Sequence, residues 1–228
     1  MSAIKVLESR RLRDELNLAY TNLAKAYYNI EANEEAIEFY LKALQVQEEL
    51  NDTKGIYESS SKLAELYSNK KEHRKAIDFY EKVLESSESV NDSIQGFIYT
   101  KLGGEYLQFN DYDKATRYLI KGYNINTRIK NKAGLLLALN NLGDLNLKQG
   151  RLVIAEKQLL DAGKLAKNLN NKEELLRHYK LMKSLDSVRK RFDRAFVWQR
   201  EYYQLSNSLK KKEISIKPKI IDNSGLDF

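Results

Sequence analysis

Apolar residues recur along this chain at intervals of three and four positions, and the whole pattern returns about every 40 residues. Spacing of this kind is typical of amphipathic helices, and two such helices fit into each period. Similar segments separate the periods, and we expect each of them to end one helix and to start the next: LNDTKG (50–55), VNDSIQ (90–95), IKNKAG (129–134) and LNNKEE (169–174). A repeat length of this size indicates an array of supersecondary units.

Aligned positions form columns of constant character. The first column holds Leu23, Leu63, Leu102, Leu142 and Met182, with small residues beside it at Ala24, Ala64, Gly103 and Gly143. A second column holds Ala36, Ala76, Ala115, Ala155 and Ala195, followed four residues later by Tyr40, Tyr80, Leu119 and Leu159. Small residues allow two helix axes to approach closely, and the large neighbours fill the remaining space. The columns therefore predict closely packed helix pairs.

In this order the columns resemble the tetratricopeptide repeat (TPR), and the segment LAKAYYNIEANEEAIEFYLKAL (23–44) carries nearly the whole motif. The Trp that usually opens the motif is replaced by Tyr20, Ser60, Tyr99, Leu139 and Tyr179. The usual Pro near the end of the unit is missing, which predicts a longer second helix and a 40-residue variant. This variant resembles the sensor and scaffold segments of bacterial regulators.

The resemblance implies an all-α, right-handed α-solenoid of five helix-turn-helix repeats, with ten or eleven helices in total. We expect the repeats to span residues 14–53, 54–93, 94–133, 134–173 and 174–213. Residues 1–13 are expected to form a partial capping helix, either native or left by truncation, and residues 214–228 a mobile C-terminal tail.

Composition narrows the class of protein further. One Pro, ten Gly and 31% charged residues suit continuous helix, and the absence of Cys excludes disulfides, thiol nucleophiles and Cys-based zinc sites. The N-terminal sequence has no apolar signal-peptide core, and no apolar run is long enough to span a membrane. We expect a soluble, cytoplasmic protein, of bacterial type by its resemblance.

The concave groove formed by first helices is the usual binding surface of such arrays. The family's ligand-contacting positions correspond here to a set of polar residues: Asn22, Lys25, Lys62, Glu65, Lys101, Asn140, Asn141, Asp144, Arg177 and Lys180. Asn can form hydrogen bonds to both sides of a peptide amide, and Lys can pair with a carboxylate. Four of these residues therefore resemble part of a carboxylate clamp: Asn22, Lys25, Lys62 and Lys101. Glu65 and Asp144 interrupt the basic stripe, and each Lys is equally compatible with an ordinary solvated surface position.

Positive charge concentrates in the last unit, in a chain with a net charge of +7. The candidate basic patch comprises Arg189, Lys190, Arg191, Arg194, Lys210, Lys211 and Lys212. Such a patch could face nucleic acid, an anionic surface or an acidic partner. A highly charged terminal unit also keeps an array soluble, and no nucleic-acid motif accompanies the patch.

The sequence thus predicts a non-catalytic scaffold that binds a peptide or helix of a partner protein. Two histidines, His73 and His178, stand far apart without a metal-ligand pattern, and no phosphate-binding glycine motif is present, so we expect no enzyme, no metal and no cofactor. One alternative is a sensor module of a bacterial signalling or transcription-control protein. A weaker alternative is nucleic-acid binding through the basic patch, and homo-oligomers are possible.

Overall fold

A computed structural model describes residues 12–85 and 91–216, with side chains as far as residue 211, and its regular elements over these ranges are α-helices. They are α1 (Arg13–Asn29), α2 (Asn33–Leu50), α3 (Thr53–Asn69), α4 (His73–Glu85), α5 (Asp92–Gln108), α6 (Tyr112–Arg128), α7 (Lys132–Lys148), α8 (Leu152–Asn168), α9 (Lys172–Val188) and α10 (Phe192–Ile216). The all-α repeat fold predicted from the sequence is confirmed.

The turns between helices use two local devices in succession. A residue in the left-handed region closes most of the helices, as with Asn51 (φ 53°) and Asn170 (φ 52°). An Asp or Asn side chain then caps the following helix in α3, α5, α6, α7 and α9. Asp52, for example, accepts a hydrogen bond from the Gly55 amide at 2.9 Å. The four similar segments named above each contain an Asn at intervals of 40 residues, and these residues lie at different ends of helices. Asn51 ends α2, whereas Asn91, Asn131 and Asn171 are the N-caps of α5, α7 and α9.

Each helix packs against its neighbours in sequence, and the aligned columns form the core between them. Ala24, Ala36, Leu63 and Ala76 are fully buried in the first half of the array, as is Leu102 in the middle. The ten described helices form five consecutive pairs, α1–α2 to α9–α10. In each pair the helix that comes first in the chain is the first helix (α1, α3, α5, α7 and α9), and its partner is the second helix. The first helices α5, α7 and α9 also pack against one another directly.

The two termini predicted as separate segments are only partly described. Residues 1–11, which hold most of the predicted capping helix, lie outside the described residues, as do 217–228 of the predicted tail. Helix α10 continues to Ile216, three residues past the expected end of the array at 213. Across the described part of the chain, none of the helices combines the length and apolar character needed to cross a membrane.

Candidate functional site

A groove of about 550 Å³ lies between the first helices α1, α3 and α5. Its walls combine lysines with aromatic side chains and two carboxylates, and its floor is made by Tyr40 and Tyr80 from the second helices. We call it the first-helix groove and define it by these lining residues: Thr21, Lys25, Tyr28, Asn29, Tyr40, Tyr57, Glu58, Ser59, Ser61, Lys62, Glu65, Tyr80, Phe97 and Lys101. Its size is that of a typical ligand pocket.

Four residues predicted as ligand contacts meet here: Lys25, Lys62, Glu65 and Lys101. Lys62 donates a hydrogen bond to Glu65 at 3.0 Å, and its ammonium lies 4.3 Å from the centre of the Tyr28 ring. Burial disfavours the charged form of Lys62, but the hydrogen bond and charge of Glu65 outweigh this effect and raise the pKa of the ammonium. Lys62 is therefore a fixed cation between α1 and α3.

The other two lysines are held less tightly. Lys25 lies 3.6 Å from a Glu58 oxygen, and both side chains are largely exposed. Lys101 lies 5.4 Å from the centre of the Phe97 ring and has no ion-pair partner among the described residues. Such exposed contacts contribute little stability. Lys101 therefore has the ammonium most readily available to an incoming anion.

Two serine hydroxyls add hydrogen-bonding capacity that the protein does not use. The hydroxyls of Ser59 and Ser61 are buried and find no hydrogen-bond partner among the described residues, although both side chains line the groove. An unpaired buried hydroxyl costs free energy, so a ligand that bonds to it gains that free energy back. With Tyr57 and Phe97, these serines are contacts that the repeat motif did not indicate. The signal that could have pointed to them is the run Ser59–Ser61, in which Ser60 stands where the neighbouring repeats have Tyr20 and Tyr99.

The groove stops where the first helices close on one another. The Asn141 amide on α7 donates a hydrogen bond to the Thr100 carbonyl of α5 at 3.2 Å and accepts one from Arg177 of α9. Asn140 donates to Glu174 of α9 at 2.7 Å. Both asparagines are buried: Asn140 is 0% exposed and Asn141 is 3% exposed. The polar groups of these residues therefore join first helices together, and the prediction that Asn140, Asn141 and Arg177 contact a partner stays a prediction.

The remaining predicted contacts are scattered outside the first-helix groove. Asn22 is exposed on α1, and Lys180 is exposed on α9 with its ammonium 5.3 Å from the centre of the Tyr202 ring. Asp144 on α7 is half-buried, and burial raises the pKa of its carboxyl group despite the nearby charges of Lys148 and Arg177. None of these three lines the groove between α1, α3 and α5.

All three arginines of the candidate basic patch lie beside carboxylates. Glu156 of α8 accepts a hydrogen bond from Arg189 and lies 3.4 Å from Arg191 and 3.7 Å from Arg194. The hydrogen bond from Arg189 opposes burial and, with the other arginines, lowers the pKa of Glu156. The buried carboxylate of Asp186 lies 3.4 Å from Arg194 and accepts a hydrogen bond from Trp198 at 2.8 Å.

This network places the carboxylates of Glu156 on α8 and Asp186 on α9 beside the arginines of the candidate basic patch, whose binding role stays a prediction. Lys190, Lys210 and Lys211 are exposed, and the side chain of Lys212 lies outside the described residues. The side chains of Arg191 and Arg194 are also 43% and 49% exposed beside their carboxylate partners.

The two histidines also differ from simple surface residues. His73 Nδ1 lies 2.8 Å from the Glu105 carboxylate, which is itself nearly buried. His178 is 3% exposed and packs against Trp198, and burial lowers its pKa to about 4. Among residues 12–85 and 91–211, no three His, Asp or Glu side chains converge as a metal site would require. The expectation of no metal, cofactor or catalysis stays a prediction.

Comparisons with known proteins agree with this architecture. Residues 15–89 match the sequence model of the tetratricopeptide repeat. No curated protein matches the chain. Among solved structures, BtubC (BKLC) from P. vanneervenii shares 20% identity, with 92% of this chain and 93% of that chain covered and a TM-score of 0.66.

Two further structures have the same fold. The nearly identical TPR-like repeats of a putative kinesin light chain from Podosopora anserina are 14% identical over 92% of this chain and 99% of theirs, with a TM-score of 0.62. YrrB, described as a TPR protein with an unusual peptide-binding site, is 18% identical over 92% and 98%, with a TM-score of 0.55. Repeats of this kind generally serve as protein-interaction scaffolds and are typically not enzymes. Residues 15–89 thus match the tetratricopeptide repeat by sequence, and the likeness to these structures shows the same fold over the helix pairs that follow.

Proposed function

We propose that this protein is a non-catalytic scaffold that binds a short segment of a partner protein in the first-helix groove. The observation that carries the proposal is the convergence of Lys25, Lys62 and Lys101 on a groove that also holds the unpaired hydroxyls of Ser59 and Ser61. Ammonium groups and free hydroxyls bind carboxylates and peptide carbonyl groups. The peptide-binding site named for YrrB supports the same use of the fold.

The closed contacts between α5, α7 and α9 limit the length of the bound segment. Asn141 joins α5 to α7, and Asn140 joins α7 to α9. An extended peptide therefore has no open channel between α5, α7 and α9. The ligand is therefore a short segment that carries an acidic group beside an apolar or aromatic side chain. The acidic group pairs with Lys101, and the apolar part contacts Phe97 and Tyr57.

A triple variant with Lys25, Lys62 and Lys101 changed to Ala tests the proposal. Partners captured from the source cell by the wild-type protein are identified, and their segments are prepared as labelled peptides for fluorescence anisotropy. A matched control changes Lys132, Lys164 and Lys172 to Ala, which removes three exposed lysines outside the groove. Loss of peptide binding in the first variant alone supports the proposal; equal binding by both variants places the interaction elsewhere.

The sensor module remains the second candidate, since a groove of this compact size also suits a small regulatory ligand. On that proposal the array lies beside a kinase or DNA-binding output domain in the full gene product. An output domain encoded in the same reading frame supports it, and a gene that encodes the helical array alone contradicts it.

A further inference from the structure

Aromatic rings fill the space between the two helices of the first and third pairs. In the third pair, Tyr118 of α6 stacks on Tyr106 of α5 with ring centres 5.5 Å apart. The ring centre of Tyr99 lies 6.0 Å from that of Tyr118. The first pair repeats the arrangement: the Tyr27 and Phe39 ring centres are 5.4 Å apart.

The fourth pair has none of these rings. Forty residues after Tyr99, Tyr106 and Tyr118, the chain has Leu139, Asn146 and Gln158. Asn146 and Gln158 pair with each other through a hydrogen bond of 2.7 Å. A groove of about 660 Å³ lies at these residues. We call it the second-helix groove and define it by Ile120, Tyr123, Leu139, Leu145, Ile154 and Gln158, which contribute to its lining.

The apolar wall of this groove is open to water. Ile120 on α6 is 47% exposed and Ile154 on α8 is 50% exposed, although both are large aliphatic residues. Contact of these side chains with another apolar group would be favourable by the hydrophobic effect. The groove therefore has the shape and the apolar character to accept the ring that the repeat lacks.

The charged residue beside the ring position also differs between the third and fourth pairs. In the third pair, the Lys121 ammonium lies 5.2 Å from the centre of the Tyr99 ring, and in the first pair Lys42 lies 5.1 Å from that of Phe39. The corresponding residue of the fourth pair is Asp161, which lines the groove. The Asp161 carboxylate lies 3.8 Å from the ammonium of Lys164, in a long and exposed contact. The fourth pair thus lacks the ring and has a carboxylate at the position of Lys121, while Lys157 and Arg151 also line the groove and Arg151 donates a hydrogen bond to Asn146.

We propose that the second-helix groove is a separate binding site for an aromatic side chain of a partner protein, with a Lys or Arg of the same partner facing Asp161. The ring occupies the volume that Tyr106 and Tyr118 occupy in the third pair. The basic residue replaces the internal lysine and pairs with the carboxylate. The site is distinct from the first-helix groove, and each can be tested without the other.

Tyramine is a suitable probe because it joins a phenol ring to an ammonium group. Titration into the ¹⁵N-labelled protein, up to about 10 mM for a ligand of this size, is followed by NMR of the side-chain amides of Asn146 and Gln158. We expect saturable shifts of these two amides. The neutral analogue p-cresol is expected to bind several-fold more weakly, and Asp161→Asn is expected to remove that difference.

Two variants block the groove in different ways. Asn146→Tyr with Gln158→Tyr restores the rings of the third pair, so tyramine binding is expected to fall by at least about tenfold, equivalent to about 1.4 kcal/mol. Lys172→Tyr, which adds a ring at an exposed position of α9, is the control and keeps binding unchanged. Should the double variant fail to fold, Ile154→Ser weakens the half-exposed apolar wall without changing the buried core and is expected to reduce tyramine binding in the same direction.

Absence of shifts at Asn146 and Gln158 over the full titration overturns the proposal. So does unchanged tyramine binding in a folded double variant, or in Ile154→Ser where that variant is the one used. Equal binding of tyramine and p-cresol by the wild-type protein overturns the role of Asp161 and with it the basic residue of the partner.

Discussion

The imidazole ring of His178 on α9 packs directly onto Gly163 of α8. A Cβ atom at position 163 would lie 2.5 Å from both Cε1 and Nε2 of the ring, closer than any normal carbon contact. The last two helix pairs therefore approach each other through a glycine that accommodates a buried aromatic ring. The same contact makes the junction sensitive to side-chain volume and to pH.

Gly163→Ala should destabilise this junction. Alanine favours the helix by about 1 kcal/mol, but overpacking costs about 1–3 kcal/mol, and the rigid ring leaves little room to adjust. We expect the free energy of unfolding to fall by about 1 kcal/mol in urea titrations. Combination with His178→Ala should restore part of the loss, because the smaller residue makes space for the methyl group. Simple additivity of the two substitutions would contradict the steric explanation.

Acidification should weaken the same region. Burial lowers the pKa of His178 from 6.5 to about 4, so the unfolded chain binds a proton that the folded chain rejects. The contribution of neutral His178 to the free energy of unfolding is complete above pH 6.5 and is lost as the pH falls from there through 4. The loss amounts to about 2 kcal/mol by pH 5.

Urea unfolding at pH 7.5 and pH 5 measures this loss in the wild-type protein and in His178→Gln, which does not titrate. The variant should lose less stability than the wild-type protein over this interval. Equal losses in the two proteins would mean that other groups account for the pH dependence.

Ser59→Ala should raise stability and lower ligand affinity at once. Removal of a buried, unpaired hydroxyl favours the folded state by about 1 kcal/mol, but the groove loses a hydrogen-bonding group. Ser60→Ala is the matched control, because Ser60 is also buried and unpaired but does not line the groove. Both variants should gain stability in thermal unfolding, and only Ser59→Ala should bind the partner peptide more weakly. Equal peptide affinities would remove Ser59 from the proposed site.

Asn141→Ala should be far more destabilising than Asn22→Ala, although both residues occupy predicted ligand-contacting positions. Asn141 is buried and hydrogen-bonds to Thr100 and Arg177, so its loss removes two contacts between first helices and leaves a cavity among them. We expect a decrease of about 2 kcal/mol in the free energy of unfolding, against a change within about 0.5 kcal/mol for the exposed Asn22. Denaturant titration of both variants gives the comparison, and similar values would contradict the structural role of Asn141.

Glu156→Gln should release arginines for anion binding. The substitution removes the carboxylate shared by Arg189, Arg191 and Arg194, and we expect stronger retention on heparin together with a loss of about 1–2 kcal/mol of stability. Asp193→Asn changes the net charge equally at an exposed residue of α10. If both variants were retained to the same extent, net charge alone would explain heparin binding.

The repeated helices could be predicted because their cause is local and periodic. Leu63, Leu102 and Ala115 recur at fixed positions in each unit, and their burial follows once an amphipathic helix forms and stacks on its neighbour. Lys25, Lys62 and Lys101 were placed on the groove by the same reasoning, because a first-helix position carries over from one repeat to the next.

The sequence by itself determined the all-α repeat and the helices on which the polar residues lie. Only the tertiary structure decided which of those residues are accessible. Asn140 and Asn141 are buried because α5, α7 and α9 pack together, whereas Lys62 and Lys101 remain beside a groove because α1, α3 and α5 enclose space between them. The separation of helices depends on contacts between residues 30 to 40 positions apart, such as Asn140 with Glu174 and Asn141 with Arg177. A repeat motif records the packing within each unit but not these particular pairings between units.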